Sequence, residues 1–141
     1  MRKRNILPLI FSLTMSSVTF AESNPLESFR WEYRLILIYT PTEEIDGALA
    51  KLKAAEPEIK ERHILWFVFS ERESRTNNSD PIEEDFRTEV LRHYFEDGET
   101  TQLRLIGKDG GIKEKADKLI LERIFSLIDA MPMRQAEMKR N

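Results

Sequence analysis

The chain has 141 residues, 40% hydrophobic and 33% charged, a balance that fits one globular domain and excludes a disordered tail or a membrane bundle. It contains no cysteine, so disulfide frameworks, thiolate nucleophiles, dithiol redox centres and zinc ribbons are excluded. With 22 basic against 25 acidic residues the net charge is −3, a sign that repels phosphate backbones and anionic lipid.

Arg2, Lys3 and Arg4 precede an apolar run from Ile6 to Met15, and a stretch of mostly small residues leads to Ala21. Basic start, apolar middle and small end in that order predict a signal peptide over 1–21, cleaved after Ala21. The run is too short to cross a bilayer core. Cleavage would remove three positive charges and leave 120 residues with 19 basic and 25 acidic groups, a net of −6. The expected location is periplasmic or secreted, with no membrane span after cleavage.

In the remainder, Phe29, Trp31 and Tyr33 alternate with charged residues and read as a core-facing segment leading into Leu35–Tyr39, an apolar run that predicts a strand buried on both faces. Thr40, Pro41 and Glu43 form a capping-box pattern that predicts a helix start, and Ile45, Ala48, Leu49, Leu52 and Ala55 continue at helical spacing until Pro57. Ile64–Phe69 is a second doubly buried strand, completing a right-handed βαβ unit. Glu71–Pro81 reads as a surface loop, with a formal glycosylation acceptor at Asn77. Asp80, Pro81 and Glu83 repeat the helix-start signal, and Ile82, Phe86, Val90 and Tyr94 form a stripe ending near Gly98.

Leu103 and Leu105 alternate with Gln102 and Arg104 before the turn Gly107–Gly111, which predicts an antiparallel hairpin with one wet face. Leu119, Ile120, Ile124, Leu127, Ile128 and Met131 then make a closing helix up to Pro132, and 133–141 is a polar tail. The order β-α-β-α-β-β-α over residues 22–132 is that of a thioredoxin-like α/β domain, a mixed sheet with helices on both faces.

Phe29–Trp31, Arg34–Pro41, Leu105–Lys113 and Ile128–Arg134, with Glu137 and Met138, resemble a bacterial family of small exported proteins known only as a domain of unknown function. The more specific motifs are Ile106–Gly111 and Asp129–Arg134. That family is similar to the C-terminal DUDES domain of sushi-repeat and related extracellular-matrix proteins, which is regarded as thioredoxin-like. The resemblance implies export and a fold, and no reaction. In active thioredoxins the redox cysteines sit where the first buried strand meets its helix. Here that corner reads Tyr39, Thr40, Pro41, Thr42, Glu43, a degenerate redox site, and Thr100 and Thr101 stand near the place of the family's proline before the third strand.

Glu43, Glu44 and Asp46 crowd a helix start, where carboxylates complement the dipole and discourage anionic ligands. Glu89 and His93, four apart, offer either two metal ligands or an ion pair, and His63 lies at the mouth of the second strand. Met131, Met133, Arg134 and Met138 form a candidate interaction surface, because methionines repack easily. No catalytic residue, metal or cofactor is assigned. The leading expectation is a non-catalytic protein-binding module of the cell envelope, whose partner is another exported protein rather than nucleic acid or membrane. The alternative is a non-thiol enzyme, with or without a metal, using Glu43 and Glu44 with His63 or His93. Convergence of those side chains in one concavity is what would distinguish it.

Overall fold

Two parallel apolar strands form the centre of the computed structural model, which describes residues 23–141. The expected signal peptide and its cleavage site lie outside the described residues. Strand β1 (Arg34–Tyr39) pairs with β2 (Ile64–Phe69) in a register running from Arg34 opposite Ile64 to Tyr39 opposite Phe69. On the far side of β2 lies β3 (Ser74–Thr76), antiparallel, and on the far side of β1 lies β4 (Gln102–Ile106), followed by β5 (Ile112–Ala116), both antiparallel. The sheet order is β3-β2-β1-β4-β5.

Five helices complete the chain: α1 (Ile45–Ala54), α2 (Glu56–Glu61), α3 (Glu84–Tyr94), α4 (Leu121–Asp129) and α5 (Pro132–Arg140). Ile36, Ile38, Trp66 and Val68 face one way and pack with α1, α2 and α4. Leu35, Leu37, Phe67 and Phe69 face the other way, against Leu26 and Val90 of α3. Alternate residues thus enter two cores, which is why β1 and β2 read as unbroken apolar runs. Each buried Leu, Ile or Phe contributes about 1.5–3 kcal/mol, far above the few tenths that separate helix propensities, so the two cores decide where elements lie. The mixed α/β arrangement is consistent with a thioredoxin-like fold. Among the described residues no helix is long and apolar enough to cross a membrane.

Several elements depart from the sequence pattern. Pro57 does not end the helical region: α1 ends at Ala54, Ala55 caps it, and the proline sits in the first turn of α2, where a missing N–H is harmless and Ile59 can be buried. The expected loop contains β3, three polar residues hydrogen-bonded to the edge of β2, which carry no apolar signal. Neither expected capping box forms its side-chain cap: the first α-helix begins at Ile45 after a 3-10 turn over Thr42–Glu44, and α3 begins at Glu84. Strand β4 has no wet face, because Arg104 is buried beneath the end of α3, donating to the Tyr94 carbonyl at 2.9 Å with its guanidinium over Phe95.

Ile120 precedes α4 in extended conformation and is exposed. Of the three lead-in aromatics only Phe29 joins a core, against Phe67 and Phe86, while Trp31 and Tyr33 are exposed. Residues 133–141 are mostly helical, in α5, rather than an irregular tail.

Candidate functional site

The two ends of β1 carry different chemistry. At its C-terminal end the corner expected to be a lost redox site brings Thr40 and Thr101 together, their hydroxyls 2.9 Å apart. Thr101 also donates to Glu44 Oε2 at 3.0 Å, and Thr40 lies 3.4 Å from the same oxygen. Thr40 is buried, and of the two exposed glutamates it is Glu44, not Glu43, that hydrogen-bonds in the corner. The spacing alone suggested Glu43, because a regular helix from Thr40 would have placed it there; the intervening 3-10 turn shifts the role by one residue. Tyr39 points away from this cluster and packs on Phe95.

The corner opens into a depression of about 420 Å³ bordered by Thr40, Glu43, Gly47, Asp117 and Ile120. A second depression of about 610 Å³, bordered by Ala55, Glu58, Glu122 and Phe125, shares Lys51, Leu119 and Ile120 with the first. Together they form one groove between α1–α2 and the segment leading into α4. Five carboxylates (Glu43, Glu44, Glu58, Asp117, Glu122) face two ammonium groups (Lys51, Lys118) along it.

At the N-terminal end of β1 the arrangement is ionic and closed. Arg34, 1% exposed, donates two hydrogen bonds to Glu137 at 3.1 and 3.3 Å and a third to the Arg62 carbonyl at 2.9 Å. Lys108 reaches the same carboxylate at 2.6 Å and His63 Nδ1 at 2.9 Å. Arg134, also 1% exposed, bonds Asp129 at 3.2 Å and Glu61 at 2.7 Å, and Arg62 holds Asp129 through two nitrogens at 3.0 and 2.8 Å. Burial alone would raise the Glu137 pKa, but the hydrogen bonds from Arg34 and Lys108 outweigh it and hold the group at about 2. Asp129 is held below the usual carboxylate range chiefly by its hydrogen bonds from Arg62. Burial lowers the His63 pKa, and the Lys108 charge adds to it, so the ring is neutral and accepts from Lys108 through Nδ1.

Two non-glycine residues in left-handed backbone, Trp31 (φ 70°) and His63 (φ 52°), flank this end. The Trp31 N–H donates to the Lys108 carbonyl at 2.6 Å, and the Arg30 guanidinium lies over its ring. The glycine-rich turn is a hairpin turn, as its spacing predicts. Gly110 has φ 84°, and a Cβ there would press on the Arg30 side chain.

The four residues of the expected interaction surface divide. Met133 and Met138 are exposed, Met131 is half-buried against the α1–α4 core, and Arg134 is buried in the ionic cluster. Arg34, Lys108 and Glu137 were not read as site residues, although all three lie in the stretches that carry the family resemblance and Arg34 opens a strand otherwise wholly apolar. Glu43 and Glu44 lie at one end of β1 and His63 at the other, while His93 on α3 bonds back to Glu89. Among the described residues no group of three or more His, Asp or Glu is placed to hold a metal. Asn77, the formal glycosylation acceptor, is used by the fold: its Oδ1 accepts from the Trp66 N–H at 2.8 Å and its Nδ2 donates to the Ile64 carbonyl at 3.3 Å, extending β3's cover of the β2 edge.

A family model described as Domain of unknown function (DUF4174) matches residues 25–137. No curated protein matches the chain. The matched span runs from just before the first 3-10 turn to Glu137, so it includes both ends of β1 and the ionic closure.

Proposed function

The chain belongs to the DUF4174 family, and from that premise we propose that it is an exported thioredoxin-like domain that has no thiol chemistry and works as a non-catalytic protein-binding module of the cell envelope. The observation that carries the reading is the corner at the end of β1: a neutral Thr40–Thr101 contact with Glu44 fills the place of a redox centre, and an open groove leads away from it. A chain without cysteine cannot exchange disulfides, but a groove beside such a corner retains the shape needed to hold another chain. Export rests on the basic-apolar-small order of residues 1–21. The proposed likeness to the DUDES domain of extracellular sushi-repeat proteins comes through the family that the Ile106–Gly111 and Asp129–Arg134 motifs resemble, and it fits an extracytoplasmic binding role. The partner is another exported protein.

The test is affinity capture of the tagged protein from its native envelope after brief crosslinking, followed by mass spectrometry and by binding of the purified partner. One exported protein recovered in near-equal amount, and binding the purified domain directly, is the expected result. Recovery of no exported protein overturns the binding-module reading.

A further inference from the structure

We propose that the groove between α1–α2 and the segment 117–122 receives a peptide segment carrying apolar side chains beside lysine or arginine; the proposal deepens the binding-module reading and rests on it. Three independent features converge there. The floor is thinly covered core: Ala48, Ala55 and Leu119 belong to the edge of the cluster that α1 and α4 bury, yet are only partly buried, and Phe125 beside them carries the Arg62 guanidinium on one face. Ile120, 49% exposed, lies where the two depressions meet, held outside α4 by an extended backbone. An isoleucine in that position gains from contact with an apolar partner and gains nothing from water.

The second feature is charge. Five carboxylates against two ammonium groups give the rim a negative field that attracts cationic side chains and rejects acidic ones. The depression at the opposite end of the sheet has no such negative bias, because its charges are paired, Arg34 and Lys108 with Glu137 and Lys113 with Asp109, so the acidic rim is local to the groove.

The third feature is Gly47, the third residue of α1. Glycine in a helix is less stable than alanine, and a Cβ at Gly47 would meet nothing within 4 Å, so internal packing gives no reason for it. It lines the groove, where a missing side chain lets another backbone approach the helix closely.

The experiment is fluorescence anisotropy with three short labelled peptides: one alternating lysine with leucine, one with glutamate in place of lysine, and one alternating lysine with serine. The lysine–leucine peptide is expected to bind at least about tenfold more tightly than either control. Glu58→Lys and Ile120→Ser are each expected to weaken it several-fold, whereas Glu84→Lys, the same charge change on α3, leaves it unchanged. Gly47→Ala is expected to weaken binding while the melting temperature stays equal or rises, which separates the groove from a folding defect. Equal binding of the glutamate peptide, or equal loss in Glu84→Lys and Glu58→Lys, overturns the proposal. Envelope capture repeated with Ile120→Ser separates the two readings: a partner kept by this variant sinks the groove and leaves the binding module standing. No partner with the unaltered protein sinks the module.

Discussion

At the start of β1 two arginines and a lysine are taken out of water and neutralised by carboxylates, most of them from distant parts of the chain, while at its end two threonines and one glutamate share hydrogen bonds beside open solvent. The first arrangement tolerates no subtraction. A buried charge is stable only while its partner remains, because desolvation of the survivor costs more than the pair contributed. The second is made of groups that water can replace at little cost. The comparison teaches where this fold can spare residues for recognition: at the corner and its groove, which carry little of the stability, and not at the base, where α5 is fastened.

The largest expected effect tests that asymmetry directly. Glu137→Gln keeps the shape but leaves Arg34 and Lys108 without a counter-charge, and is expected to cost about 3–5 kcal/mol in a urea titration. A loss below about 1 kcal/mol would break the contrast between the ends. Acid should reveal the same group. Its folded pKa of about 2 lies below the ordinary value of 4.5, so the stability it adds is fully present above pH 4.5 and is lost as pH falls toward 2. That loss amounts to about 3 kcal/mol, visible as an acid limb in the unaltered protein and missing from Glu137→Gln.

Thr40→Val at the other end is expected to cost no more than about 1 kcal/mol, since Thr101 keeps its bond to Glu44; a thermal melt showing a larger drop would make the corner structural. Smallest is the effect of His63. Its lowered pKa means the unfolded chain takes up a proton first, so stability declines as pH falls below about 6.5. His63→Asn removes this and keeps a residue tolerant of φ 52°. The melting temperature of the variant should change less between pH 7 and 5.5, and an unchanged dependence would remove His63 from the ionic end.

How far each end could be read in advance follows from the range of the interactions that build it. The turn itself is local, and the run Leu35–Tyr39 followed by Thr40–Pro41 marks where a strand must turn, so its position was legible; the 3-10 turn that delays α1 to Ile45 was not, nor was Thr101, which joins Thr40 from 61 residues away. The doubly covered strands and the hairpin at Gly107–Gly111 were legible for the same reason. The ionic end joins residues 34, 62, 108, 129, 134 and 137, and no local pattern links them. In the sequence 133–141 reads as a polar tail and Arg134 as part of an exposed surface, because α5 is too weakly apolar to predict docking, which is done by charges instead. β3 was hidden because an edge strand held by backbone pairing needs no apolar residue.

The ionic closure also sets an order in time. Arg34 and Glu137 are 103 residues apart, so at a synthesis rate of roughly 5–20 residues per second the arginine waits roughly 5–20 s for its counter-charge. Through that interval β1 and its neighbours have no stable way to bury the base of the sheet, and the nascent chain stays open. A polypeptide whose sheet base cannot lock before α5 has been made keeps that base open until the helix arrives, so the closure comes late in folding.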